Sequence, residues 1–322
     1  MKYNQLGQTP FKISAVGYGA SAIGGVYGEV DIDQAIQSVH SAFELGINYY
    51  DTSPYYGLTK SETVLGKAIK DLPRDELVIS TKLGRYGADE FDFSAKRVAS
   101  SVEQSMQRLG VEVIDILNCH DIEFVKLDQI INETLPAMLA LQKQGKVRTL
   151  GITGLPLEIF DRVIDQVQPG IIQSVLSYCH GSINDTTLLD KIDYFKTKKI
   201  GVVNASPTSM ALLAPNGPRD WHPAGEKVRA VCMQTAKNCA DAGINIVKLA
   251  IQYATQLQGI DACLLGVGTK QRVINSLAWH EEPIDQDQLK QVQQWLAPIA
   301  NISWQSGLPE NNTQVPTEAQ VK

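Results

Sequence analysis

The chain has 322 residues, 43% of them apolar, and a formal charge of −6. That allows a large core in one domain or two, and an acidic balance without a basic run excludes nucleic acid and anionic membrane as main partners. No apolar stretch reaches the ~20 residues of a membrane span, "MKYNQLGQTPFKIS" lacks a signal peptide's apolar segment, and five cysteines without a CxxC pair argue against disulfides or a metal site and for a reducing cytoplasm.

In chain order, "YNQLGQTPFKIS" reads as a hairpin turned at Gly7, suited to plug the N-terminal mouth of a barrel. Eight short, mostly apolar and β-branched runs follow, at 16–19, 47–50, 77–81, 113–117, 148–152, 172–176, 200–204 and 262–266. Their apolar character on both faces predicts strands covered on both sides. Helical spacing recurs over 32–45, 61–70, 94–109, 132–144, 156–166, 186–198, 227–242 and 270–278. Asp31 is placed to cap the first of these. The alternation leaves a doubly wound sheet or a closed (β/α)8 barrel. Eight strands favour the barrel, as does the first glycine-rich turn, "GYGASAIGG", whose spacing is wrong for a dinucleotide fingerprint. A long Pro/Gly-rich loop, 207–226, follows the seventh strand and is of a length usually reserved for function. Residues 1–300 are expected to form the single barrel domain and 301–322 a polar, disordered tail.

Chemistry in such a barrel belongs at the C-terminal strand ends. There the second strand brings Asp51 with Tyr55 and Tyr56 beyond it, the third Lys82, the fourth His120 in "NCHD". Singly, each is more often a cap, a rim residue or a structural histidine. Together they converge. A charge after the buried run "LVIST" is costly unless paired, and Asp51 one strand away is the partner for Lys82. A tyrosine beside that ammonium is expected to have its pKa lowered from about 10, making it a proton donor and acceptor. His120 is expected to bind the reacting oxygen.

The pattern Asp51-x4-Tyr56, with Lys82 and His120 ending the next two strands, resembles the aldo-keto reductase superfamily over roughly residues 3–300. "GRYGADEFDFSAKRV", "CHDIEF", "GITGLPLEIF", "LSYCHGSIND" and "GPRDWHPA" are similar to its sugar-dehydrogenase subgroup, whose substrates include L-galactose and L-fucose. The resemblance implies a nicotinamide cofactor bound without a Rossmann motif. It implies oxidation of a cyclic sugar at C1 to the lactone. Tyr56 takes the hydroxyl proton, Lys82 stabilises the phenolate, Asp51 tunes Lys82 and His120 holds the oxygen.

By the same resemblance, Thr153, Ser177 and Ser206 contact the cofactor after the fifth, sixth and seventh strands. Gly266, Val267 and Gly268 offer backbone donors to its phosphates near a helix N-terminus. Gly266 stands where NADP-preferring relatives carry lysine, which favours NAD, while Arg272 reaches a 2′-phosphate or lies against adenine. Trp221 and His222 on the long loop are expected to cover the sugar, with His180 a weaker candidate. Cys119 and Cys179 read as buried fillers that could confer oxidation sensitivity. Two alternatives stand beside this reading: an NADPH-dependent aldehyde reductase, and a cofactor-binding regulatory subunit of the channel-β type. The expected partner is a small sugar, and the expected state a monomer.

Overall fold

Strands β1 (Tyr3–Gln5) and β2 (Lys12–Ser14) pair antiparallel, with Tyr3 opposite Ser14. The turn between them carries Leu6 and Phe11, which have no second layer of their own to pack against. They bury instead against Tyr49, Val78, Ile116, Leu176, Val203 and Leu264, closing the bottom of a barrel as expected. Gly7 sits at φ +48, and a side chain there would run into the backbone nitrogen of Gly201.

The barrel, in the computed structural model that describes residues 1–313, is closed and wholly parallel. Its strands are β3 (Val16–Gly19), β4 (Tyr49–Asp51), β5 (Val78–Leu83), β6 (Ile114–Cys119), β7 (Val147–Gly154), β8 (Ser174–Tyr178), β9 (Gly201–Ala205) and β10 (Ala262–Gly266). They neighbour one another in chain order, and β10 closes on β3 through Cys263 opposite Val16. All eight expected strands are present. Each is short and buried on both sides, because helices cover the outside and packed side chains fill the inside.

The outer ring comprises α1 (Ile32–Glu44), α2 (Lys60–Ile69), α3 (Ala95–Leu109), the short α4 (Leu127–Gln129) running through a π turn into α5 (Leu135–Lys143), and α6 (Glu158–Ile164). It continues with α7 (Ile192–Thr197), α8 (Glu226–Asp241), α9 (Ile246–Thr255), α10 (Lys270–Glu281) and α11 (Gln286–Leu296). Asp31 caps α1 as expected, accepting from the backbone of Asp33 and Gln34. Sequence spacing missed α9 and α11. In α9 the polar residues are few, Lys248, Gln252 and Thr255 on one stripe, and the Asn245 cap marks its start. Helix α11 buries just Leu289, Val292 and Leu296 against the α8 side.

Residues 301–313 correct the expected tail. Ile302 and Trp304 join the core under α8 and α11. Asn311, fully buried, donates to the carbonyls of Glu123 (2.9 Å) and Val125 (3.0 Å). The polar composition serves backbone groups of the barrel rather than water. The rest of the expected tail, 314–322, lies outside the described residues. Among the described residues no helix is long and apolar enough to cross a membrane, and no cluster of metal-ligating side chains occurs.

Candidate active site

The site is built on the upper ends of β4, β5 and β6. Lys82, the fifth residue of β5, points inward with a side chain 1% exposed. It can remain charged there because Asp51 on β4 lies 2.5 Å from its Nζ and the Thr52 carbonyl accepts a second bond at 2.8 Å. Asp51 also accepts from the Ser80 hydroxyl at 2.8 Å, and Asn118 donates to Ser80 at 3.1 Å. The carboxylate is therefore held on both oxygens.

Tyr56 lies over this pair, its ring centroid 4.7 Å from Lys82 Nζ. Its position depends on an unusual turn. Gly57, Leu58 and Thr59 follow it with φ of +61, +51 and +74. A side chain at residue 57 would strike the Gly24 carbonyl. The Tyr56 carbonyl then accepts from Ser61 at the start of α2 (3.2 Å). The Tyr56 hydroxyl has no protein hydrogen bond among the described residues.

The expected lowering of the Tyr56 pKa is not found. Burial, followed by the negative charges of Asp51 and Asp121, raises the phenol well above 10. The physical reason is first the burial of the phenol, to which the nearby Asp51 charge adds, itself engaged with the lysine on which that expectation relied.

His120 follows β6, with its backbone nitrogen bonded to the Leu83 carbonyl (2.9 Å). Its ring stands edge-on to Tyr56, centroids 5.6 Å apart. Its Nδ1 is 3.0 Å from Ser53 Oγ, and its Nε2 is 3.6 Å from Asp121. Burial pushes the imidazole down to about 3, so it is neutral at pH 7.

Three groups missed from sequence complete the mouth. Arg85 donates to Asp121 at 2.6 Å and lies 4.1 Å over the Tyr55 ring. Asp121, at φ +52, is held below the ordinary carboxylate range, in spite of its burial, by the Arg85 guanidinium. Tyr178 ends β8 close enough to Asp121 and Arg85 to feel both charges. The available signals were the charges in "GRYG" and "CHD", beside residues already singled out.

Thr153 does not present a free hydroxyl to a cofactor. It accepts from the Asp121 backbone nitrogen (2.9 Å) and lies 3.4 Å from the Asp121 carboxylate. Ser177 is fully buried, its hydroxyl unpartnered. Ser206, just past β9, takes φ +59 beside Cys179. Gly266 is exposed at the top of β10, and Val267 is buried beneath it. Gly268 leads to the Thr269 cap of α10, and Arg272 is exposed on the first turn.

Trp221 is half exposed and pairs with Tyr27 at 6.2 Å, so the long loop reaches the β3–α1 loop. Arg219 adds a bond to the Tyr27 carbonyl at 2.9 Å. His222 is no sugar ligand. Its Nδ1 accepts from Ala224 N (3.0 Å) and its Nε2 bonds the Ser209 carbonyl (3.1 Å). His180 commits its Nδ1 to Asp185 at 2.9 Å, and its buried Nε2 has no hydrogen-bond partner among the described residues. Cys119 and Cys179 are buried and burial pushes their thiols far up, as suits core fillers. A wide cleft of about 650 Å³ at the opposite end of the barrel, beside Asn4, Gln256 and His280, holds none of the groups of the mouth.

A buried tyrosine over a Lys–Asp pair, facing a neutral histidine at a barrel mouth, is an arrangement suited to an oxidoreductase. Residues 15–297 match the model of the aldo/keto reductase family, and the chain belongs to that family. It is 46% identical to an L-galactose dehydrogenase of Arabidopsis thaliana, over 95% of this chain and 98% of that one. It is 35% identical to a D-arabinose 1-dehydrogenase of Saccharomyces cerevisiae, over 72% of each. The solved structure of the aldo-keto reductase AKR11C1 from Bacillus halodurans shares the fold, with a TM-score of 0.75 at 22% identity over 97% of this chain and 99% of that one.

Proposed function

We propose that this protein oxidises an aldose, L-galactose or a related sugar, at C1 to the lactone, with NAD as the hydride acceptor. The convergence of Tyr56, His120 and the Asp51–Lys82 pair on one mouth carries the reading. The names of the two sugar dehydrogenases to which the chain is similar point to the substrate class.

The residues at the top of β10 fit a dinucleotide. Helix α10 begins with Lys270 and Arg272 and has no acid in its first turn. Cations there oppose the helix field unless an anion sits among them. The open backbone at Gly266 and Gly268 leaves room for phosphate. Gly266 brings no cation to a 2′-phosphate, which supports NAD over NADP. When bound, the nicotinamide supplies the carbon that accepts hydride.

The chain's own residues do the rest. His120 donates from Nε2 to the C1 oxygen and orients it. Tyr56 receives the C1 hydroxyl proton as the C1–H bond gives up its two electrons. Asp51 and Lys82 fix the floor under the phenol and keep water out of it. The raised phenol favours one second reading, in which Tyr56 works as an acid and the same groups reduce an aldehyde with NADPH. Five free cysteines, all buried, support a reducing compartment such as the cytoplasm.

Absorbance of the reduced nicotinamide, followed with L-galactose, L-fucose, D-arabinose and simple aldehydes and with each cofactor, tests the proposal. Tyr56→Phe is expected to abolish turnover and leave cofactor affinity within about twofold, since it removes only the proton-transferring oxygen. An active Tyr56→Phe variant, or no sugar turnover across the panel, refutes it.

A further inference from the structure

The proposed chemistry needs His120 to present a proton, not a lone pair, to the substrate oxygen. A neutral imidazole has one N–H and one acceptor nitrogen, and its neighbours decide which is which. We propose that Ser53 is the positioning residue that sets this choice, holding His120 as the Nε2–H tautomer.

Ser53 is fully buried and owns a single hydroxyl proton. Its Oγ accepts from the backbone nitrogen of Tyr55 at 3.1 Å, closing a tight serine turn across Pro54. Its only other polar partner among the described residues is His120 Nδ1, at 3.0 Å. The hydroxyl proton therefore has one acceptor available, the Nδ1 lone pair. Were Nδ1 protonated, the serine proton would be buried and unpaired, a costly arrangement.

A second, independent contact gives the same answer. Asp121 Oδ2 stands 3.6 Å from His120 Nε2. That is too long for a hydrogen bond but close enough for the charge to matter. A lone pair on Nε2 would face a carboxylate, whereas an N–H there is attracted to it. Burial also keeps the ring neutral, so that exactly one nitrogen carries hydrogen at pH 7. Nε2–H is thus left without a protein acceptor and free for the reacting oxygen. One turn accordingly has two duties: the Ser53 carbonyl accepts from Tyr56 N (3.1 Å), and the Ser53 hydroxyl sets the histidine opposite.

This inference rests on the proposed hydride transfer, yet it can be tested without turnover. Long-range proton–nitrogen NMR correlations of the protein labelled at its five histidines read each ring's tautomer. His120 is assigned by the pattern lost in His120→Asn. The expected wild-type pattern has hydrogen on Nε2 and none on Nδ1. Ser53→Ala is expected to give a mixed pattern and to lower kcat about tenfold, leaving cofactor affinity unchanged, as for loss of one orienting hydrogen bond. Ser53→Thr, which keeps the hydroxyl, is expected to restore both. Hydrogen on Nδ1 in the wild type overturns the proposal. So does a Ser53→Ala variant with unchanged ring pattern and kcat. An Nε2–H pattern in a protein that turns over no sugar would leave the tautomer assignment standing and sink the reaction instead.

Discussion

Replacing Lys82 with methionine tests the ion pair under the site. The two charges are 2.5 Å apart, with side chains 1% and 3% exposed. At an effective dielectric near 20 their attraction is about 6–7 kcal/mol. Removing each ion from water costs several kcal/mol, so the pair is close to balanced. Methionine keeps the stem's volume and removes the charge. Asp51 then retains only the Ser80 hydroxyl at 2.8 Å, as a buried carboxylate without a counter-ion. The expected loss is about 3–5 kcal/mol. Asp51→Asn, which strands the ammonium instead, should cost about as much. The double variant removes both charges and should recover a good part, giving a coupling energy of about 2–4 kcal/mol. Urea unfolding of the four proteins at pH 7, followed by far-UV circular dichroism, measures the cycle. If the double variant loses the sum of the single losses, the two groups do not sense each other and the electrostatic account of the site is wrong.

Other consequences follow from the same geometry. Because burial and Asp51 raise the Tyr56 phenol, its phenolate is the minority form at pH 7. The kcat/KM for sugar oxidation should therefore rise about tenfold per pH unit from pH 7 to 9, and a plateau reached below pH 8 would contradict the raised pKa. Glu123 is buried beside Asp121, which lifts its carboxyl from 4.5 to about 8. The folded state thus binds this proton more tightly than the unfolded chain, and the stability it contributes is full below pH 4.5 and lost as pH rises through about 8. Glu123→Gln, a mimic of the protonated form, should melt above the wild type at pH 8.5 and level with it at pH 4.5; identical melting at both pH values argues against the shift. Leu58 combines φ +51 with a side chain 71% exposed. Leu58→Gly should stabilise by about 0.5–1 kcal/mol, read as a higher urea midpoint at unchanged slope, and a lower midpoint would show that the turn is not strained.

Different parts of this molecule left different traces in the sequence. The eight strands were readable because runs covered on both faces are mostly apolar and β-branched. The Asp51–Lys82 pair was readable for a related reason: a charge ending a buried strand must be met by its opposite, and Asp51 ends the strand before it. The local marks of α9 are slight, an Asn245 cap and one narrow polar stripe, and nothing local announced the docking of 301–313, where Asn311 donates to carbonyls 188 and 186 residues upstream.

Hydroxyls and imidazoles divide along the same line. Thr153 and His222 have residue types suited to ligands, and tertiary placement gives them to Asp121 and to Ser209 and Ala224 instead. The Tyr56 pKa failed for a sharper reason. Sequence shows that a cation is near, but not how completely the phenol is buried, nor that the cation lies closer to an anion, at 2.5 Å, than to the tyrosine ring, at 4.7 Å. Ser53 lies between these cases. A serine followed by proline two places before a tyrosine is a local turn signal, so its bond to Tyr55 was within reach of sequence reasoning. Its bond to His120 was not, since 67 residues and two barrel strands separate them. The local half fixes where the hydroxyl sits, and the fold then supplies the one lone pair its proton can reach. A short motif of this kind acquires catalytic meaning only once the barrel has closed around it.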